Sequence, residues 1–298
     1  MNNTPEGPTR LVLLGHPVSH SLSPIFQNAA LKSAGLNVSY DALDVPPLAL
    51  SGVLRDLARS GVAGNITIPH KEAVAAACSR LTDIAKRVGA VNTFWHEKGK
   101  LVGDNTDVAG ARIAIASLLD ARGTPNAEMR DASTELRVTV LGAGGAAAAI
   151  LVALESFAPV AITLWSRSLD RAQALPARVN VNVIVADDVA VAVRDADLVI
   201  NCTPIGLNGL ETPVNVAALQ PGARLLDLIP KMGETEWLRV GRANGHVVED
   251  GLRMLVEQGA ASFERWFNIV PDRASMWRSL KSRPDLSPAG RATPPSVL

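Results

Sequence analysis

The sequence predicts a protein of two α/β domains with largely parallel sheets. Strand-like and helix-like segments alternate through most of its 298 residues, and a polar stretch at 121–134 divides them into two series. Such alternation is typical of βαβ units, in which helices connect parallel strands. The chain is also long enough for two domains, each with its own hydrophobic core.

The first series runs from residue 10 to residue 119. Its apolar runs and helical spacings predict strands at 10–14, 40–45 and 62–68, and helices at 23–34, 48–60, 71–78, 82–87 and 106–119. Ser23 is the expected N-cap of the first helix, with Pro24 at its first helical position. The segments 91–95 and 100–102 flank a Lys98-Gly99 turn and are expected to form a hairpin.

The second series repeats the alternation after the polar connector. It predicts strands at 136–141, 161–165, 181–185, 198–201, 224–229 and 246–248, and helices at 146–154 and 251–267. The residues after Ser282 include four prolines and, together with residues 1–8, are expected to be disordered.

Composition argues against several classes of protein. The 29 basic and 29 acidic residues balance, which argues against a surface that binds nucleic acid or anionic membranes. No apolar run reaches the ~18 residues of a membrane span, and residues 1–10 lack the apolar core of a signal peptide. Cys78 and Cys202 have no metal-ligand spacing and the histidines are scattered, so we expect no metal and a reducing, cytoplasmic location.

A glycine-rich turn follows the first strand of the second series. The residues Gly142-Ala143-Gly144-Gly145-Ala146 stand between that strand and an alanine-rich helix. The glycines permit a tight turn and let a pyrophosphate approach the backbone, and the helix N-terminus offers N–H groups to phosphate. The pattern predicts a dinucleotide site, with a merely tight strand-to-helix turn as the alternative.

The end of the next strand indicates which dinucleotide binds. NAD-type sites usually have an acidic residue there, which accepts from the ribose 2′-hydroxyl. This chain has Trp165 followed by Ser166, Arg167 and Ser168, with Arg171 one helical turn further on. Two guanidinium groups can clasp a 2′-phosphate, and the serines can donate to it. NADP is therefore the predicted cofactor, and an exposed helix start with surface arginines is the alternative.

The segment from Asn65 to Lys71 joins an apolar, β-branched run to a predicted helix start. A cation in the first turn of a helix opposes the macrodipole, typically at a cost of about 0.3–1 kcal/mol. This position suggests that Lys71 is held there for chemistry. A solvated lysine that tolerates the dipole is the alternative.

Further polar groups stand where apolar segments end. Ser21 and Ser23 precede a helix N-terminus, where hydroxyl groups can help to bind a carboxylate. Two later segments, 89–93 and 103–107, place Asn92 and Asp107 after strand-like runs. Each of these, taken alone, is more consistent with turn chemistry.

Together and in this order, the motifs resemble the shikimate dehydrogenase family. The resemblance runs from about Gly15 to Phe267. The motifs that carry it are Ser-x-Ser-Pro, Asn-x-Thr-x-Pro-x-Lys, Gly-Ala-Val-Asn-Thr, Asn-Thr-Asp, Gly-Ala-Gly-Gly-Ala, an arginine-containing segment after the next strand, and Gly-x-x-Met-Leu-Val-x-Gln-Gly.

The resemblance implies a substrate site. Ser21 and Ser23 would bind a carboxylate. The residues implied to hold ring hydroxyls are Thr67, Asn92, Asp107 and Gln258. The family's last long helix packs back on the first domain, which implies a substrate-binding and catalytic domain at 9–107 with 250–282, and a dinucleotide-binding domain at 108–249.

The resemblance also implies the reaction, which interconverts 3-dehydroshikimate and shikimate with NADP. Lys71 would stabilise the charge that develops on the ketone oxygen and supply the proton, and Asp107 would orient Lys71. Gly251 and Met254 would lie at the cofactor. No metal is needed, and we expect a monomer or homodimer that acts on a small molecule, with no nucleic-acid or membrane partner.

Three positions depart from the family pattern. Pro230 stands where a tyrosine near the substrate is common, whereas Arg253 and Val108 each replace a usual glycine. The proposed catalytic residues are unaffected. The departures bear on whether the chain is the main biosynthetic enzyme or a divergent paralogue.

Two alternatives remain open from the sequence. A quinate or quinate/shikimate dehydrogenase is one, although Ser23 and Arg167 argue against it. A non-catalytic ligand sensor on the same fold is the other, although Lys71 and Asp107 are both present.

Overall fold

A computed structural model describes residues 7–58, 60–120, 135–157 and 160–282 of the chain. The predicted connector at 121–134, nearly all of the predicted N-terminal tail and the predicted tail at 283–298 lie outside these residues. Two sheets organise the described part, as the sequence predicts, and each has six strands. The strand Arg80–Leu81 of the first sheet was not predicted.

The first sheet is mixed. Its strands are β1 (Arg10–Gly15), β2 (Tyr40–Asp44), β3 (Val62–Ile66), β4 (Arg80–Leu81), β5 (Thr93–Glu97) and β6 (Lys100–Asp104). They lie in the order β2-β1-β3-β5-β6-β4. Strand β1 is parallel to β2 and β3, whereas β5 is antiparallel to both β3 and β6. The hairpin β5–β6 turns at Lys98 and Gly99, whose φ angles are 50° and 73°.

Four helices accompany this sheet: α1 (Ser23–Ser33), α2 (Leu50–Leu57), α3 (Lys71–Ala77) and α4 (Asp83–Val88). The next helix, α5 (Asp107–Asp120), packs on α6 and the second sheet. The prediction that Ser23 is the N-cap of α1 is wrong, because Leu22 precedes the helix and Ser23 is its first residue. The hydroxyl of Ser21 instead accepts from Ser23 N (3.2 Å), which satisfies one free N–H of the first turn.

Two predicted strands of this sheet are misplaced at one end. The strand predicted to reach residue 68 ends at Ile66, because the chain turns after Thr67 and His70 N donates to Thr67 O (2.9 Å). The hairpin strand predicted from residue 91 begins at Thr93, because Val91 N donates to Lys71 O (2.9 Å) at the start of α3.

The second sheet is parallel throughout its described pairs. Its strands are β7 (Leu136–Leu141), β8 (Val160–Trp165), β9 (Val183–Ala186), β10 (Leu198–Asn201), β11 (Arg224–Asp227) and β12 (Val248–Glu249). Their order, β12-β11-β10-β7-β8-β9, is that of a doubly wound dinucleotide-binding fold.

Helices α6 (Gly145–Leu154), α7 (Leu169–Ala174), α8 (Val189–Val193) and α9 (Glu236–Ala243) accompany the second sheet. Strand β11 ends two residues before the predicted residue 229, because the Asp227 side chain accepts from Ile229 N (3.3 Å) and turns the chain. Strand β12 begins later than predicted, at Val248, and the side chain of His246 contacts Ala223 O (2.8 Å) instead.

The last two helices return to the first sheet. Helix α10 (Gly251–Phe267) coincides with its prediction, and α11 (Arg273–Lys281) was not predicted. Phe263 and Trp266 of α10 are buried in one cluster with Phe26 of α1 and Tyr40 of β2. We call the first sheet with α1–α4, α10 and α11 the first unit, and the second sheet with α5–α9 the second unit. Within the described residues, no helix is long and apolar enough to cross a membrane.

Candidate active site

A lysine and an aspartate meet where helices α3 and α5 begin. Lys71 is the first residue of α3, as predicted, and Asp107 is the first residue of α5. Lys71 Nζ donates to Asp107 Oδ2 at 2.6 Å, with side chains only 20% and 7% exposed. The dipole of α5 stabilises the Asp107 carboxylate at the N-terminus of that helix. The dipole of α3 is unfavourable for the Lys71 ammonium, and the negative charge of Asp107 compensates for this. Next to Lys71, the buried His70 ring contacts Val45 O.

Asn92 joins this pair to α10. Its Nδ2 lies 2.8 Å from Asp107 Oδ1 and 3.0 Å from Gln258 Oε1, so one amide group contacts both side chains. Its Oδ1 accepts from Thr106 N at 2.7 Å, which fixes the orientation of the amide. Four of the predicted site residues, Lys71, Asn92, Asp107 and Gln258, are thus brought into one hydrogen-bonded group.

A buried layer of hydroxyl and amide groups supports this site, and sequence reasoning missed it. The hydroxyl of Ser262 lies 2.7 Å from Thr93 Oγ1 and 2.9 Å from Thr106 Oγ1, and it accepts from Asn65 Nδ2 at 2.9 Å. The sequence does contain a signal for this layer, because Asn65, Thr93 and Thr106 belong to the motifs named above. Ser262 follows Gln258 by four residues, which places both on one face of a helix.

Tyr40, the only tyrosine of the chain, extends this layer toward the predicted carboxylate site. Its hydroxyl donates to Asn65 Oδ1 (2.8 Å). Burial raises the pKa of Tyr40, and a hydrogen bond with the Ser23 side chain offsets this only in part. Ser23 is buried, and Ser21 is half-buried beside it.

Thr67 lies at the end of β3, on the path from Asn65 to Lys71. Its backbone N–H donates to Leu14 O at 2.8 Å, and its side chain is half-buried. No hydrogen bond of the Thr67 hydroxyl is seen in the described part of the chain. The hydroxyl therefore remains free for the predicted ring contact.

The glycine-rich turn has the shape that a dinucleotide requires. Gly142 has a φ of 110° and packs on the Cys202 backbone, so an L-residue there would be strained. A Cβ on Gly144 would meet no atom within 4 Å, which leaves the backbone open to a ligand. Helix α6 begins at Gly145 without a side-chain cap, so its N–H groups are available to phosphate.

The first unit reaches this turn directly. The side chain of Ala90 would lie 3.4 Å from a Cβ on Gly145. Its neighbour Val91 is hydrogen-bonded to the backbone of Lys71. The lysine and the glycine turn are therefore separated by only a few residues of packed chain. Ala143 and Ala146 of the turn are half-buried.

The predicted 2′-phosphate site lies at the start of α7. Ser166 Oγ accepts from Ser168 N at 3.2 Å, and Arg167 is exposed. Arg171 is also exposed, and its guanidinium forms an ion pair with Glu72 of the first unit at 3.2 Å. Sequence reasoning missed Glu72, and nothing in the sequence pairs it with α7.

The remaining predicted cofactor residues are packed in protein. Gly251 is buried, and a Cβ there would lie 2.5 Å from Leu228 O, so close packing alone requires glycine. Met254 is 8% exposed and lies in a hydrophobic cluster with Ala90 and Val108. Their predicted contact with the cofactor stays a prediction.

The structure places all three departures from the family pattern. Val108 is 2% exposed within the cluster that also holds Ala90, so its side chain fills the junction between the units. Arg253 donates to Glu249 at 3.1 Å, one turn earlier. Pro230 is exposed and follows Ile229 after the end of β11.

Potential metal ligands do not converge here. In the described ranges, no group of three or more His, Cys, Asp or Glu side chains could hold a metal ion. The polar contacts described above are instead hydrogen bonds and ion pairs.

Fold and site together define a Rossmann-type α/β oxidoreductase with a separate substrate unit. Family profiles match three stretches: the shikimate dehydrogenase substrate binding domain at 13–94, shikimate/quinate 5-dehydrogenase at 126–212, and the shikimate 5′-dehydrogenase C-terminal domain at 251–281. The shikimate dehydrogenase (NADP(+)) of Symbiobacterium thermophilum is 38% identical over 279 residues, covering 89% of this chain and 91% of that protein. The chain belongs to the shikimate dehydrogenase family, as the motifs indicate.

Solved structures agree with this assignment. Shikimate 5-dehydrogenase from Thermus thermophilus, in complex with NADP(H) and shikimate, is similar with a TM-score of 0.78 and 35% identity. That similarity covers 91% of this chain and 97% of the other. Quinate dehydrogenase from Corynebacterium glutamicum, in complex with NAD, is similar with a TM-score of 0.79 and 27% identity, over 93% of this chain and 99% of the other.

Proposed function

We propose that this chain is an NADP-dependent shikimate dehydrogenase, which interconverts 3-dehydroshikimate and shikimate. The observation that carries the proposal is the Lys71–Asp107 ion pair, linked through Asn92 to Gln258. The pair lies beside an open glycine-rich turn of Rossmann type. The relatives at 34–39% identity bear the same activity in their names.

Lys71 acts on the oxygen of the reacting ketone. When bound, NADPH supplies the hydride that the ketone carbon receives. Negative charge then develops on the ketone oxygen, where the Lys71 ammonium stabilises it and gives up a proton. In the reverse direction, the neutral amine of Lys71 takes the proton of the substrate hydroxyl. Asp107 Oδ2 holds the amine in place, because Asp107 Oδ1 is itself fixed by Asn92.

The ring is held by groups on three elements of the first unit. Thr67 after β3, Asn92 before β5 and Gln258 on α10 offer hydroxyl and amide groups, and Asp107 binds a hydroxyl next to the reacting carbon. Ser21 and Ser23 bind the carboxylate at the start of α1. The Tyr40 hydroxyl connects that serine pair to the layer beneath Asn92.

The second unit holds the cofactor. The segment 142–146 and the N-terminus of α6 take the pyrophosphate, which suits the open backbone at Gly144. Ser166, Arg167, Ser168 and Arg171 take the 2′-phosphate. We propose that Gly251 and Met254 also contact the cofactor, as the family resemblance implies.

The domain limits remain those predicted: 9–107 with 250–282 for substrate and catalysis, and 108–249 for the dinucleotide. The packing of α10 on α1 supports the return of the chain to the first domain. We propose a monomer or homodimer. We also propose a reducing, cytoplasmic location, which both free cysteines support.

A quinate dehydrogenase is the second candidate, favoured by the similarity to the Corynebacterium enzyme. Ser23 and the basic segment after β8 favour shikimate and NADP. A non-catalytic sensor is less well supported, because the lysine–aspartate pair is intact.

Initial rates with shikimate and quinate, each with NADP and NAD, test the proposal. We expect the highest kcat/KM for shikimate with NADP, and we expect Arg167→Ala to narrow the cofactor preference. Preference for quinate with NAD would support the second candidate, and no turnover of any pair would support the sensor.

A further inference from the structure

One ion pair bridges the two units at the predicted 2′-phosphate site. Glu72 is the second residue of α3 in the first unit, and Arg171 lies in α7 of the second unit. The Arg171 Nη2 atom lies 3.2 Å from Glu72 Oε1 and 3.3 Å from Oε2, so both carboxylate oxygens share it.

The first turn of α3 therefore faces two sites at once. Consecutive side chains on an α-helix point about 100° apart. Lys71 points to Asp107 at the substrate site, whereas Glu72 points to the guanidinium that the proposed function assigns to the cofactor phosphate.

We propose that Glu72 is a specificity-determining residue, which competes with the 2′-phosphate of the cofactor for Arg171. The inference rests on the proposed function, in which Arg171 binds that phosphate. Glu72 occupies Arg171 Nη2, so a phosphate must displace the Glu72 carboxylate before it can use this nitrogen. A dinucleotide without the 2′-phosphate does not meet this competition, so Glu72 weakens the binding of NADP and leaves NAD unaffected.

The competition is modest in size. The two side chains are 59% and 58% exposed, so water and salt screen the pair. Exposed ion pairs of this kind change an equilibrium by about two- to fivefold. That range is enough to adjust the affinity for NADP without abolishing it.

Calorimetric titration of the full chain tests the proposal without turnover. The probes are adenosine 2′,5′-bisphosphate, which carries the 2′-phosphate, and adenosine 5′-monophosphate, which lacks it. We expect Glu72→Gln to lower the Kd of the bisphosphate by about two- to fivefold at low salt and to leave the monophosphate unchanged. Raising the NaCl concentration should shrink the difference.

Three further variants isolate the competition. Arg171→Gln should weaken the binding of the bisphosphate, and the double variant Arg171→Gln/Glu72→Gln should bind it no differently from Arg171→Gln alone. Asp83→Asn removes a carboxylate from another exposed ion pair of the same unit, with Lys86, and should leave both probes unaffected. If Asp83→Asn lowered the Kd of the bisphosphate as much as Glu72→Gln does, only the net charge of the protein would matter, and the proposal would be overturned.

Failure of this inference differs from failure of the proposed function. If Arg171→Gln weakens the bisphosphate but Glu72→Gln has no effect, the competition is refuted and the NADP assignment stands. If Glu72→Gln tightens the bisphosphate equally with and without Arg171, Glu72 acts by repulsion alone and the inference is overturned. If Arg171→Gln has no effect, both the competition and the role of Arg171 in the proposed function are wrong.

Discussion

At the scale of single residues, we expect turnover to depend above all on the charge of Lys71. Lys71→Ala should lower kcat by about 10²-fold or more, since a positioned proton donor acts mainly on the transition state. KM for shikimate should change little. Initial rates of shikimate oxidation measure both. Lys86→Ala, which removes an exposed lysine of α4, is the control and should leave kcat unchanged. A folded Lys71→Ala protein with near-normal kcat would exclude the assigned role.

Pro230 stands where the family commonly has a tyrosine near the substrate. A proline offers neither a side-chain donor nor a backbone N–H. If one substrate hydrogen bond is missing, worth about 0.5–1.5 kcal/mol, kcat/KM is lowered about three- to tenfold.

Pro230→Tyr should recover part of that deficit, measured as kcat/KM for shikimate. The exposed position makes room for the ring. Pro230→Phe is the matched control, because it adds the ring without the hydroxyl and should recover nothing. If the tyrosine variant folds and turns shikimate over no faster, the missing contact is not the explanation.

At the scale of elements, helix α10 depends on close contact with α1. A Cβ on Gly259 would lie 2.4 Å from Cε2 of Phe26, which is fully buried, and Gln27 Nε2 donates to Gly259 O (2.9 Å). Gly259→Ala should therefore lower the free energy of unfolding by about 1–3 kcal/mol through overpacking.

Urea denaturation checks this prediction. Gly52→Ala is the control, because Gly52 lies inside α2 and its nearest neighbour would be Arg55 Nη2 at 3.9 Å. That change should stabilise by about 0.5–1 kcal/mol, since alanine favours a helix. Equal effects of the two substitutions would show that helix propensity, and not packing on Phe26, decides the outcome.

The sequence predicts elements well where one strong local signal exists. The strand Leu136–Leu141, the glycine turn and the helix Gly251–Phe267 are confirmed, because apolar runs and glycines define them locally. Helix α11 was missed, since Met276 and Leu280 are its only buried residues and too few to mark an apolar face. Tertiary contacts, and not sequence pattern, stabilise such a helix.

The residues of the candidate site likewise divide into those that the sequence predicts and those that it does not. Lys71, Asn92, Asp107 and Gln258 were predicted as a group because the motifs carry them. Ser262, Tyr40 and Glu72 were not, because their partners come from distant parts of the chain: Ser262 meets Thr93 across 169 residues, and Arg171 meets Glu72 across 99. Long-range pairing of this kind is set by the packing of elements.

At the scale of the whole molecule, the two units are joined by several contacts. Arg87 of α4 pairs with Glu155, which follows α6, and Arg178 donates to Val88 O (2.8 Å). Helix α10 also packs on α5. Together with the pair at Arg171, these contacts hold Lys71 near the glycine turn. The proposed chemistry requires this proximity, since substrate and cofactor bind to different units.

Global stability should depend on pH through Asp227, which is fully buried at the end of β11. Burial raises the pKa of this carboxyl, and hydrogen bonds from Thr235, Ile229 N and Asn201 offset the rise only in part. The folded protein therefore holds the proton more tightly than the unfolded chain, whose carboxyl has a pKa of ~3.9. The stability that Asp227 contributes is complete below that pH and is lost as the pH rises toward the folded pKa.

Asp227→Asn removes this titration and keeps the shape of the side chain, with Thr235 able to accept from the new amide. The variant's melting temperature should exceed that of the unmodified protein by a margin that grows from pH 4 upward and then levels off. Asp272→Asn is the control, for which we expect the opposite pH dependence. Hydrogen bonds, of which the one from the Ser275 backbone has the largest effect, lower the pKa of Asp272. The Asp272 carboxylate contributes stability above pH ~3.9, and this stability is lost in acid. The melting temperature of Asp272→Asn should therefore drop below that of the unmodified protein as the pH rises. A margin for Asp227→Asn that stays constant or shrinks between pH 4 and 8 would contradict the assignment of a burial-raised pKa to Asp227.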